Sequence, residues 1–153
     1  MGKKIVNATV KMVEGLQIVG YADSGHGIVI DTTPEGGGLG KGTSPMELVL
    51  IALASCSAMD VISILKKKRE KLTGLEVRIS GDRAETDPRV YTAVRIHYIF
   101  EGKGLSEIAC RKAIDLSEEK YCSVLGMVSK TAQVESDWEI REWNAGETRT
   151  ADT

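Results

Sequence analysis

Residues 3 to 31 alternate apolar and polar positions with period two, as in Val6, Ala8, Val10 and then Leu16, Ile18, Gly20. The pattern predicts two or three antiparallel strands, with Glu14-Gly15 marking the first turn. From Thr32 to Thr43 the sequence TTPEGGGLGKGT carries five glycines and a proline, which predicts a mobile flap or hinge with no periodic element. Ser44-Pro45-Met46-Glu47 then reads as a helix start, with Ser44 as N-cap, Pro45 at the first helical position and Glu47 closing a capping box. The apolar pattern runs on to about Leu72, a helix of roughly 40 Å that one domain of this size does not cover alone. A second chain is the expected cover.

Leu75, Val77 and Ile79, and then Val90, Val94, Ile96, Tyr98 and Phe100, predict two strands joined as a hairpin across a polar loop containing Pro88. A second helix is expected from about Ser106, with Cys110, Ile114, Ser117 and Tyr121 on one packing face. A shorter helical segment follows from Ser123 to about Thr131, and a last strand from Ala132 to Trp143 alternates as Val134, Ser136, Trp138, Ile140. The order β-β-β-α-β-β-α-α-β belongs to the α+β class. Residues 1–143 are expected to form a single domain, and the polar stretch 144–153 a disordered tail.

Charge and composition narrow the function classes. The 20 basic and 22 acidic residues are mixed along the chain, which gives no footprint of a nucleic-acid binder. The run Lys66-Lys67-Lys68-Arg69 closes a helix pattern, where cations favour the negative end of the helix dipole. The N-terminal residues lack the apolar core of a secretory signal, so a cytoplasmic protein is expected. Leu48 to Met59 is twelve residues without a charge, short of the roughly 20 that span a bilayer, and reads as a buried core helix. Gly40-Lys41-Gly42 does not complete a phosphate-binding loop. No C-x-x-C is present, and His26 and His97 are far from a ligand spacing, so neither metal nor cofactor is expected.

Three cysteines in an unexported chain point to thiol chemistry rather than structural disulfides. Cys56, in Ala54-Ser55-Cys56-Ser57-Ala58, lies inside the most apolar helix, and by position alone it reads as a core thiol. Cys122 sits at the break between two helical segments, where free N–H groups at a helix start favour a thiolate, and by position alone it reads equally as a solvent-facing junction residue without special reactivity. Cys110 belongs to the packing face.

The stretch GTSPMELVLIALASCSAMDVISIL, residues 42 to 65, together with EEKYCSVLGM, residues 118 to 127, resembles the two signature segments of the OsmC/Ohr family, the osmotically inducible and organic hydroperoxide resistance proteins. The likeness extends over nearly the whole chain. It implies antiparallel sheets wrapped around two long central helices in an intertwined homodimer, with each active site at the subunit interface. It also implies thiol peroxidase chemistry of the peroxiredoxin kind: Cys56 attacks a hydroperoxide as thiolate, Cys122 resolves the sulfenic acid to a disulfide, and an external dithiol resets the pair. Two departures bear on activation of Cys56. The family glutamate after the helix-start proline is Met46 here, and no arginine precedes Arg69, which leaves only distant ones such as Arg89 or Arg95 to serve the site. Asp60, one turn after Cys56, would raise a thiol pKa if it faced the same pocket. The alternative function is therefore a non-peroxidatic dimer that binds a small hydrophobic or thiol ligand, or carries sulfur on Cys56.

Overall fold

The computed structural model describes residues 2–142. Trp143 and the tail expected from residue 144 lie outside the described residues. The elements follow the expected order: β1 (Ala8–Glu14), β2 (Gln17–Ala22), β3 (Gly27–Ile30), α1 (Pro45–Lys67), β4 (Leu72–Arg83), β5 (Tyr91–Gly102), α2 (Glu107–Leu116), α3 (Ser123–Val128) and β6 (Gln133–Glu142). The α+β class holds. The chain divides between Val49 and Leu50 into two compact units.

The first unit is an antiparallel sheet in the order β1-β2-β3, with Val10 opposite Gly20 and Gly20 opposite Ile28. After β3 the glycine-rich segment is built around one buried carboxylate. Asp31, 2% exposed, accepts hydrogen bonds from the backbone N–H of Thr32 (2.8 Å), Leu39 (3.2 Å) and Lys41 (3.1 Å). Burial pushes its pKa up, and the N–H groups of Lys41, Thr32 and Leu39 together pull it below the ordinary value. A Cβ on Gly38 would stand 2.2 Å from the Thr32 carbonyl oxygen, so that glycine permits a close backbone approach. A short 3-10 turn at Pro34–Gly36 completes the loop. The segment expected as a hinge without periodic structure is thus a folded loop, because Asp31 gathers N–H groups that glycines alone would leave to water.

The capping box forms as expected. The Ser44 backbone N–H donates to Glu47 Oε2 at 2.7 Å, and the Glu47 N–H donates to Ser44 Oγ at 3.3 Å. α1 stops at Lys67, earlier than the apolar pattern suggests. The Arg69 N–H reaches the Lys66 carbonyl (3.0 Å) and the Glu70 N–H reaches the Leu65 carbonyl (3.1 Å), with Arg69 left-handed at φ 59. This is a Schellman closure with arginine where glycine is usual.

In the second unit β5 is central, antiparallel to β4 and parallel to β6. The β4-β5 hairpin is the expected one, whereas the sheet is mixed and not antiparallel throughout. The reason is connectivity: α2 and α3 lie in the crossover 103–132 that returns the chain to run beside β5 in the same direction. Val94, Ile96, Tyr98 and Phe100 alternate into the core and are at most 1% exposed. They share it with Leu53, Val61 and Leu65 of α1 and with Cys110, Ala113 and Ile114 of α2. Phe100 lies near-parallel to Tyr98 and edge-on to Trp138, at centroid distances of 6.3 and 6.4 Å.

Candidate functional site

α1 buries a single stripe, Leu53, Ser57, Val61 and Leu65, at four-residue spacing. Cys56 and Asp60 repeat that spacing on the adjoining row and are half-buried. Helical periodicity therefore sets a thiol and a carboxylate one turn apart on one face.

Cys122 is brought to them by an irregularity. After Leu116 the chain makes a π-helical turn over Ser117–Tyr121, closed by the Cys122 N–H donating to the Ser117 carbonyl at 2.8 Å. The wider turn rotates Tyr121 off the packing face, where it is 49% exposed, and turns Cys122 inward to 6% exposed. The expected stripe Cys110, Ile114, Ser117 is buried as predicted, but its next member is Cys122 and not Tyr121. A period of 3.6 residues does not anticipate an inserted residue.

Cys56, Asp60 and Cys122 converge, with one sulfur or oxygen of each within 4.8 Å of the others. All three cysteines are free thiols, and Cys110 lies elsewhere on α2, fully buried. Cys122 caps α3, its Sγ accepting from the Leu125 N–H at 3.4 Å. That donor was expected to favour a thiolate, and here other forces outweigh it. Burial pushes the Cys122 thiol up to about 11, with a hydrogen bond to Cys56 and the charges of Cys56 and Asp60 adding to the rise while the Leu125 N–H opposes it. Burial likewise pushes Cys110 up to about 11, helped by Glu70 and Glu107.

Beneath the cluster runs a chain of hydroxyls that the sequence reading did not single out. Ser57 Oγ lies 2.5 Å from Tyr98 Oη and 3.0 Å from Ser117 Oγ, and Ser117 Oγ donates to Asp60 Oδ2 at 3.1 Å. Burial pushes the Tyr98 phenol up to about 12 against the Ser57 hydrogen bond, so it stays a neutral donor. The signal in the sequence was a serine at each of two positions that periodicity assigns to the core, Ser57 and Ser117. Glu118, beside Ser117, has a buried Oε1 without a hydrogen-bond partner, and burial raises its carboxyl pKa despite a hydrogen bond to Ser136.

The distant arginines are engaged with acidic side chains. Arg95 pairs with Asp82 at 2.5 Å and Arg89 lies 3.7 Å from Asp87, all four side chains being more than half exposed. A groove of about 370 Å³ on the second sheet is lined by Arg78, Ser80, Arg95, His97, Glu135 and Asp137 and includes neither Cys56 nor Cys122.

Residues 38–137 match the family model described as OsmC-like protein. Protein YhfA of Escherichia coli is 42% identical over 135 residues, covering 88% of this chain and 98% of YhfA. A hypothetical protein from Aquifex aeolicus, known by its crystal structure, is 30% identical with a TM-score of 0.82, over 93% of this chain and 100% of its own. The organic hydroperoxide resistance protein OsmC of Legionella pneumophila shares the fold at 15% identity, with a TM-score of 0.69 over 90% of this chain and 98% of its own. By its sequence match and by its fold, the chain belongs to the OsmC-like protein family.

Proposed function

We propose that this protein is a thiol-dependent hydroperoxide reductase in which Cys56 attacks and Cys122 resolves. The observation that carries the reading is the approach of Cys56, Cys122 and Asp60 to within 4.8 Å, through a π-helical turn whose geometric effect is to turn Cys122 inward. The Cys56 thiolate takes the outer oxygen of R–OOH to become a sulfenic acid, and the O–O electron pair leaves with RO⁻, which collects a proton. The Cys122 sulfur then attacks the sulfenic sulfur, the thiol proton leaves with the departing hydroxide as water, and an external dithiol reduces the disulfide. A thiol held up to about 11 is roughly one part in ten thousand thiolate at pH 7, which tells against Cys122 as the group that attacks the peroxide. Organic hydroperoxides are the favoured substrates, in keeping with the name of the Legionella relative.

The reading includes a homodimer, supported by the exposed apolar side chains of α1, among them Ile51 (52%), Met59 (71%) and Ile62 (44%). It treats residues 1–143 as one OsmC-like domain, since the family match runs across the division at Val49. A cytoplasmic location fits three free cysteines. A second reading, a dimer that binds a small hydrophobic or thiol ligand or carries sulfur on Cys56, is favoured by Asp60, because a carboxylate stands beside the thiols where an activating cation would be expected.

The test is oxidation of the reduced protein by cumene hydroperoxide and by hydrogen peroxide in stopped flow, with peptide mapping of the product. The peroxidase reading expects a Cys56–Cys122 disulfide, faster with the organic peroxide, and a dimedone-reactive Cys56 sulfenic acid in Cys122→Ser. An unmodified Cys56 in an intact dimer would transfer the assignment to ligand binding.

A further inference from the structure

A disulfide pair needs two sulfurs; this cluster has a third electron-rich group that peroxide chemistry does not use. We infer that Cys56, Asp60 and Cys122 form a binding site for a thiophilic divalent cation of the Zn²⁺ type. Two thiolates and a carboxylate are a donor set for such ions, and three protein ligands leave the fourth tetrahedral position to water or a thiol ligand. Cys56 and Asp60 at i and i+4 supply two donors from one helical face, the spacing by which helices commonly present metal ligands. Cys122 supplies the third from another element, which sequence spacing alone did not reveal.

The dimensions allow it. Zinc–sulfur bonds of about 2.3 Å at tetrahedral angles put two sulfurs roughly 3.8 Å apart. The donor atoms, all within 4.8 Å of one another, therefore need to close by about 1 Å or less, within the reach of side-chain torsions. Asp60 is also held the way metal-binding carboxylates are held. Its Oδ2 accepts from Ser117, which is tied to Ser57 and through it to Tyr98, leaving the other carboxylate oxygen for a cation. Among the described residues no lysine, arginine or histidine forms an ion pair with Asp60, so up to three negative charges would gather here without a compensating side chain. Binding balances as M²⁺ displacing one proton from each thiol, so that two protons are released and the cluster keeps one net negative charge.

This inference does not rest on peroxide turnover. The test is an anaerobic titration of the reduced, full-length protein with Co²⁺ as spectroscopic probe, followed by displacement with Zn²⁺. The expected result is one Co²⁺ per chain with a sulfur-to-cobalt charge-transfer band and tetrahedral visible bands, unchanged in Cys110→Ala and abolished in Cys56→Ser and Cys122→Ser. Asp60→Asn should weaken binding at least tenfold. As a check that needs no variant, Zn²⁺ should shield Cys56 and Cys122 of the native protein from N-ethylmaleimide in a peptide map. Absence of the charge-transfer band, its persistence without Cys56, indifference to Asp60→Asn, or unshielded thiols would each overturn the three-ligand site.

Discussion

Burial determines how the single residues behave. Cys110 and Cys122 both keep their protons to about 11, against 9.0 for an ordinary thiol. The native state thus holds protons that the unfolded chain releases from pH 9.0 upward, and linkage then makes stability fall with rising pH. Stability should be whole below pH 9.0 and decline towards about 11, on the order of 1 kcal/mol per pH unit for each thiol. Denaturant titrations at a series of alkaline pH values should show this slope, and Cys110→Ala should flatten it by about half below pH 10.0, above which the Tyr98 phenol, held up to about 12, adds its own decline. The same variant should leave peroxide oxidation of Cys56 unchanged, because Cys110 packs on α2 and is not part of the thiol cluster. Tyr98→Phe probes the hydroxyl chain. It strips Ser57 of its Tyr98 partner while Ser117 still reaches Asp60, so a stability loss of about 1–2 kcal/mol is expected with the fold intact. Circular dichroism with urea melts would measure it, and a variant as stable as the parent would mean that the phenol does not hold Ser57.

The elements themselves were largely legible from periodicity, and the exceptions are local. α1 begins where Ser44, Pro45 and Glu47 say it should, because a capping box is written in adjacent residues. Its end was not legible, because the closure uses Arg69 in a left-handed conformation where a glycine would have announced it. That conformation costs about 1 kcal/mol for a side chain with a Cβ. Arg69→Gly should therefore stabilise the protein by about 0.5–1 kcal/mol, seen as a higher urea midpoint at constant m-value. A lower midpoint would show that the arginine side chain matters more than the backbone strain. The π-helical turn was illegible for another reason: one inserted residue changes the phase of everything after it, so Tyr121 and Cys122 exchange roles although each lies in a recognisable helical pattern. Cys122 was found through the family's signature segments, and Asp60 through its turn of separation from Cys56. Ser117 was placed on the packing face and Ser57 in the apolar helix, but the hydrogen-bonding role of neither was foreseen, because serines on an apolar face look like tolerated small residues until their partners are known.

At the scale of the whole molecule, the single chain leaves too much apolar surface in water. α1 is the one described helix long and apolar enough to cross a membrane, yet only 22% of its apolar window is buried. β1 is exposed along its whole length, including Val10 at 63% and Met12 at 76%. The dimer of the proposed function would cover this surface with a second copy of the chain, the symmetrical solution. Light scattering should then give twice the chain mass of 16.6 kDa at micromolar concentration. Met59→Glu is the informative variant, because Met59 is 71% exposed and is not part of the core stripe of α1. If a partner covers that face, the substitution forces an unpaired carboxylate into an apolar contact, a penalty of about 3 kcal/mol or more, and the dimer should dissociate at least a hundredfold more readily. Sedimentation at a series of concentrations would read the shift directly. Were the variant as dimeric as the parent, the α1 face would not be the contact between copies, and the dimer would have to form through another exposed surface such as β1.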